Sequence, residues 1–199
     1  TTGLAELYGS NRLEVAGSAG RLVATAAGVL ASSVGTTAGD SILTAGGDLG
    51  SYGNVEGNAR LTSTGGGITH AANVSRTLTT TAPGVTTLSG RFGALDVLSA
   101  STLRFGSTEV IGYAGNTGSA SIVASGVVSQ TGALTVNDGL TIAAGSTQPS
   151  VSLNNADNRI GGALNIGTSE RVELAGRFGK IEQLRSGELL FGATTVTGT

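Results

Sequence analysis

Cysteine, methionine and tryptophan are absent from the 199 residues, proline occurs only twice, and the aromatic side chains are four Phe and three Tyr. Charge is scarce as well: 12% of residues are Asp, Glu, Lys or Arg, the formal net charge is -2, and Lys180 is the single lysine. Each shortage excludes something. Without cysteine there are no disulfides and no thiolate metal sites. With so little positive charge, spread over residues such as Arg12, Arg60, Arg104 and Arg159, there is no electrostatic footprint for nucleic acid or an anionic membrane. No stretch approaches the roughly 18 apolar residues of a membrane-spanning helix, and the longest apolar run, from Leu22 to Leu30, is interrupted by Thr25 and Gly28. The chain contains no charged-then-apolar leader pattern and begins at Thr1 rather than Met, so it reads as an excised piece of a longer protein.

What the chain has in abundance is glycine, 34 residues of it, with Ala, Ser, Thr, Val and Leu. The glycines do not recur every third residue, which excludes collagen, and low charge with frequent Val, Leu and Ile is unlike a disordered composition. The length suits a single domain over 1–199. A core with so few aromatics has to be layered from small aliphatic side chains.

Layers imply repeats, and the chain repeats itself. Leu88-Ser-Gly-Arg-Phe-Gly93 returns as Leu174-Ala-Gly-Arg-Phe-Gly179, and the match runs on without a gap: Leu95 falls on Ile181, Leu98 on Leu184, Leu103 on Leu189, Phe105 on Phe191 and Val110 on Val196. Roughly half of about 25 positions are identical at an offset of about 86. A fainter copy, Arg12-Leu-Glu-Val-Ala-Gly17, matches Arg171-Val-Glu-Leu-Ala-Gly176. Similar blocks thus lie near 11–31, 88–112 and 174–198. Within them runs a finer period: alternating apolar pairs such as Leu134/Val136, Val151/Leu153 and Val172/Leu174 recur at about 17 to 21 residues, separated by Gly, Asn, Asp or Ser. That is the scale of one solenoid coil.

Strands of three to five residues are stable only when stacked on copies of themselves. The expected fold is therefore all-β, a right-handed parallel β-helix (β-solenoid) of about ten coils and roughly 45 to 50 Å long at the inter-strand spacing. A β-sandwich or antiparallel barrel explains the strand lengths but not the ungapped self-match. In the solenoid the four phenylalanines, paired by the repeat as Phe92 with Phe178 and Phe105 with Phe191, are core layers.

Val151-Ser-Leu-Asn-Asn-Ala-Asp-Asn-Arg-Ile-Gly-Gly-Ala-Leu-Asn-Ile-Gly167 and Gly57-Asn-Ala-Arg-Leu-Thr-Ser-Thr-Gly-Gly-Gly-Ile68 resemble the repeats of filamentous-haemagglutinin-like exoproteins and autotransporter passengers. The likeness covers nearly the whole chain in texture, through degenerate motifs. It implies export across a Gram-negative outer membrane, commonly by two-partner secretion through an outer-membrane transporter. It also implies a secreted or cell-surface location and service as an adhesin, a toxin-delivery stalk or a biofilm component. The amino-terminal secretion signature of such proteins is not found here.

Residues that carry chemistry are few. His70 is the single histidine and has no nucleophile-elbow context, so it is expected at the surface or at a corner. Gly46-Gly-Asp-Leu-Gly50 resembles a calcium nonapeptide turn without its register or repetition. Asp138 and Asp157 lie about a coil apart, with Glu170 and Glu173 near Asp157, and could stack as carboxylates of a polysaccharide-active β-helix enzyme; the competing reading makes both aspartates turn residues. Tyr8, Tyr52 and Tyr113 are the only candidates to line a sugar cleft. Arg91 and Arg177 recur and either pair with Glu109 or Glu188 or line a ligand face. The Thr-rich runs 77–81 and 194–197 are too irregular for an ice-binding array and suit an exposed strand face.

The reading drawn from these residues has no catalytic, cofactor or metal site. It is a structural and adhesive rod segment of a bacterial exoprotein, not an enzyme, that displays weak repeated contacts to a cell-surface glycan or protein receptor and associates end to end through its exposed coil edges. A passive stalk and a polysaccharide-active enzyme are the alternatives. The fold expectation predicts a far-UV circular dichroism spectrum of β type; a spectrum dominated by helix would exclude the solenoid.

Overall fold

The computed structural model describes residues 3–144, 147 and 149–198. It is an all-β parallel solenoid of about nine coils, and no helix occurs among the described residues. The coil count sits just under the expected ten because the coils from Leu95 to Ala120 and from Leu140 to Leu164 are longer than their neighbours. They carry excursions at 111–119 and 153–158, the first closed by an antiparallel bridge between Tyr113 and Asn116.

The alternation of each short strand becomes, after stacking, a set of columns running the length of the rod. On the first face Leu7, Ala24, Leu43, Leu61, Thr80, Leu98, Ile122, Ile142 and Ile166 lie on one another in register. On the second, Leu13, Leu30, Leu49, Ile68, Thr86, Leu103, Val128, Val151 and Val172 do the same. A third column runs Ala19, Thr37, Val55, Val74, Phe92, Val110, Val136 and Ile160. Nearly all of these are buried, and together they form one continuous core. Each fully buried Leu, Ile or Phe contributes about 1.5–3 kcal/mol through removal from water.

The second and third faces meet at a corner that explains the repeat blocks. Gly17, Gly90 and Gly176, equivalent in the three blocks, have φ of 116°, 131° and 121°. At Gly17 and Gly90 the strand pairing slips by a residue. The positive φ disfavours any L-residue at these positions, and at Gly90 a side chain is opposed a second time, because its Cβ would lie 2.1 Å from the Ala72 carbonyl oxygen.

Other corners are held by Asx side chains that reach the next coil. Asp40 Oδ1 accepts from the Asn58 N–H (2.8 Å), and Asn58 Oδ1 from that of Thr77 (3.3 Å). Asn54 Oδ1 accepts from Asn73 N–H (3.0 Å) and Asn73 Oδ1 from Arg91 N–H (2.9 Å). These bonds satisfy backbone donors where the strand ladder is interrupted.

Three of the four phenylalanines, Phe92, Phe105 and Phe178, are buried as expected. Phe191 is not; it is 54% exposed. Residues 181–196 lie on the ninth coil from one side only, where Ile181 and Leu184 still touch the core. Phe105→Ala is expected to cost roughly 3–5 kcal/mol and Phe191→Ala less than about 1 kcal/mol, read as shifts of the urea midpoint; equal shifts would show that burial does not distinguish the two rings.

Candidate functional site

His70 is fully buried, not at the surface or a corner as its sequence context suggested. It occupies an inward column of the second face, Val15, Ser32, Ser51, His70, Leu88, Phe105, with Ser51 on one side and Leu88 on the other. Strand alternation put it there: Ile68 points inward, Thr69 outward and His70 inward again. Its ring lies 5.7 Å from that of Phe92, tilted by 43°. Neither ring nitrogen has a hydrogen bond of ordinary geometry, although the nearby Ala72 backbone favours the charged form to some extent. Desolvation dominates and lowers the pKa to about 4. A neutral imidazole without solvent access or an orienting carboxylate is not placed to act as a general base.

The acidic residues are dispersed. The inter-coil neighbour of Asp138 is Gly162, not Asp157: the Gly162 N–H donates to the Asp138 carbonyl (2.9 Å). The Asp138 carboxylate accepts from the Thr117 hydroxyl. At the other turn the Asx bond belongs to Asn155, whose Oδ1 accepts from the Asp157 N–H (2.9 Å). Glu173 is held by Arg171 (2.6 Å) and by the Ser152 hydroxyl (2.9 Å). The Gly46–Gly50 stretch that resembles a calcium turn is another corner, where Asp48 Oδ1 accepts from the Gly67 N–H (2.8 Å). Among the described residues no cluster of three His, Cys, Asp or Glu could hold a metal ion.

Arg91 pairs with Glu109 of the next coil (2.9 Å). Glu188 is bridged by Arg171 (3.5 Å), not by Arg177. The repeat match at Arg12 and Arg171 has a counterpart here, since each binds the Glu two residues on, Glu14 and Glu173. All these pairs are partly or largely exposed and contribute at most about 1 kcal/mol each. The Thr-rich runs form no flat array: Thr80 points into the core, and the Thr194 hydroxyl donates to the Leu174 carbonyl (3.0 Å).

Sequence reasoning missed Asn158. It is buried, and its amide exchanges two hydrogen bonds of 2.9 Å with Gln130. Its Oδ1 also accepts from the Leu134 N–H (2.9 Å), and its Nδ2 donates to the Leu153 and Ala175 carbonyls (3.1 Å each). Three coils are joined by one saturated amide. The Asn-x-x-x-Asn spacing in Asn154-Asn-Ala-Asp-Asn158 hinted only at a turn; that the last of these residues turns inward follows from the coil above and below it.

The outward surface carries shallow grooves, among them one across the coils near Tyr52 and one beside Arg91 and Glu109. Tyr8 and Tyr52 are exposed, whereas the Tyr113 hydroxyl is hydrogen-bonded to Thr77 (3.0 Å).

A family model described as repeats of unknown function (DUF5649) matches residues 93–167. No curated protein and no solved structure matches the chain. The family match and the stacked coils agree on a repeat-built parallel β-helix protein.

The buried imidazole makes stability pH-dependent. The unfolded chain protonates His70 near 6.5 and the folded chain only near 4. Its contribution is therefore complete above about pH 6.5 and is lost as pH falls from there towards 4, by roughly 3 kcal/mol in all. His70→Leu is expected to flatten that part of the stability profile, measured by urea titrations between pH 4 and 7; unchanged slopes in the variant would remove His70 as the cause.

Proposed function

We propose that this chain is a structural and adhesive rod segment of a secreted or surface-anchored bacterial exoprotein, of the filamentous-haemagglutinin-like, two-partner-secreted kind that its repeats resemble. The observation that supports this reading most directly is the unbroken stacking of the columns through nine coils. A stack tied at every coil by main-chain hydrogen bonds and one continuous core is stiff along its axis, about 40 Å of reach at the strand spacing. Its inward residues are committed to that stack, and its outward residues are free to vary.

The outward faces suit repeated weak contact. Short polar side chains, exposed Tyr8 and Tyr52, and ion pairs that bridge coils are all presented on one stiff support. Multivalent engagement of a cell-surface glycan or protein receptor multiplies such contacts into useful avidity. A cysteine-free chain of short strands also suits passage through an outer-membrane transporter before folding, because no disulfide can form early.

The test is binding of the purified, folded segment to whole cells and to a broad glycan panel at two salt concentrations. Saturable binding that changes little with salt is expected, since the cations are scattered and the net charge is only -2. No binding to cells or glycans by a folded sample would leave the segment a passive stalk. Depolymerisation of an acidic polysaccharide, abolished by Asp138→Asn or Asp157→Asn, would instead make it an enzyme.

A further inference from the structure

A groove of about 460 Å³ crosses the second face over four successive coils. Its floor is the outward column Ala31, Gly50, Thr69 and Thr87, in register and composed of small residues throughout. Tyr52 borders it on one side, and Val29 and Val85 border it on the other. These three are 53%, 41% and 39% exposed. Away from the first and last coils, the described residues include only two more exposed large hydrophobics, Ile111 and Val127, so three of the five lie at this groove.

The ring of Tyr52 is placed by what Gly50 lacks. A Cβ on Gly50 would lie 2.9 Å from Tyr52 Cε2 and 3.2 Å from its hydroxyl oxygen, so the phenol end rests over the glycine and into the groove. Polar groups surround it without being used up. The hydroxyls of Thr69 and Thr87 have no protein partner. Asp48 spends Oδ1 on the Gly67 N–H and keeps Oδ2 as an acceptor. Asp48 is also the only charged residue in the lining.

An aromatic ring with an apolar face, exposed aliphatic flanks, free hydroxyls and one carboxylate is the chemistry that recognises an uncharged sugar. The pyranose C–H face packs on the ring, and its hydroxyls donate to Asp48 and bond the threonines. The volume falls within the ~300–1,000 Å³ of small-ligand clefts. Asp48 is the one charge of the lining and disfavours a sulfate or carboxylate beside it; of the cations at the groove's two ends, Arg12, in register with Val29, is paired with Glu14, and Arg104, in register with Thr87, lies on the next coil beyond the lining. We propose that this groove binds a run of neutral pyranose units in a glycan chain, with Tyr52 as its stacking platform; this deepens the adhesive reading and rests on it.

The test is calorimetric titration of the full 199-residue chain with cellohexaose, maltohexaose, mannohexaose and chitohexaose, followed in parallel by tyrosine fluorescence, which no tryptophan obscures. At least one neutral hexasaccharide is expected to saturate. Tyr52→Ala is expected to weaken it at least about tenfold, with Ile111→Ala, exposed but outside the groove, unchanged, and a carboxymethylated form of the same sugar is expected to bind more weakly, recovering in Asp48→Asn. Urea midpoints and circular dichroism check that each variant folds. Equal affinity in Tyr52→Ala, preference for the anionic sugar, or no saturation by any of the four would overturn the groove assignment. Whole-cell binding by the same samples separates the two readings. Cell binding that survives in wild type and Tyr52→Ala alike defeats the groove and leaves the adhesive rod standing, whereas absence of all cell and sugar binding defeats both.

Discussion

Every coil is bonded through its main chain to the coil on each side, about 4.8 Å away, and that spacing leaves little latitude. A residue meets chiefly the residue at the same position one coil on. Side chains on an inward column must therefore tolerate copies of themselves as neighbours, which favours Leu, Ile, Val and Ala and admits a ring only at intervals. Phe92 accordingly sits between Val74 and Val110, and Phe105 between Leu88 and Gln130. Corners must repeat in place for the same reason, as Gly17, Gly90 and Gly176 do.

Polar groups caught inside such a stack have few ways out. Asn158 shows the satisfied case, with every polar atom bonded across three coils. The Ser63 hydroxyl, which donates to the Gly47 carbonyl (2.7 Å) and accepts from the Gly66 N–H (2.9 Å), shows a smaller one. His70, Thr80 and Thr86 show the opposite: their buried polar atoms lack partners. An unsatisfied buried group costs about 1–3 kcal/mol, and all three fall in two adjacent coils. These costs are concentrated around residues 68–92. The same stretch supplies Thr69, Val85 and Thr87 to the groove beside Tyr52. Unpartnered buried polar atoms and exposed apolar side chains thus coincide in the same coils.

The outer surface follows a different logic from the core. Its ion pairs are exposed and weak, and they alternate sign where coils stack, as Arg91 over Glu109 and Arg171 over Glu188 do. Like charges in register would push neighbouring strands apart. A rod needs no more than that from its charges. On the adhesive function proposed above, what it adds is geometry: side chains on a stiff support, so that weak contacts act together.

Much of the architecture was legible in the one-dimensional pattern because a solenoid repeats its environment. The ungapped match between 88–112 and 174–198 already set Gly90 on Gly176 and marked Phe92 and Phe178 as core rings, and the period of the apolar pairs already implied stacked parallel strands. A column is built from residues of like sequence position, so local periodicity and tertiary contact carry the same information. What depends on a single coil's neighbours was hidden. His70 reads as an exposed polar residue until strand alternation is anchored by Ile68 and the coils at Ser51 and Leu88 close over it. Asp138 and Asp157 are a coil apart in number but not in space, because the inserted residues between Leu140 and Leu164 shift the register. Phe191 matches Phe105 in sequence yet differs in burial, since burial needs a coil on both sides. The repeating alternation of small apolar residues determined the fold; which side chain meets which, and hence where polar groups are trapped or set free, was decided only by the stacking register.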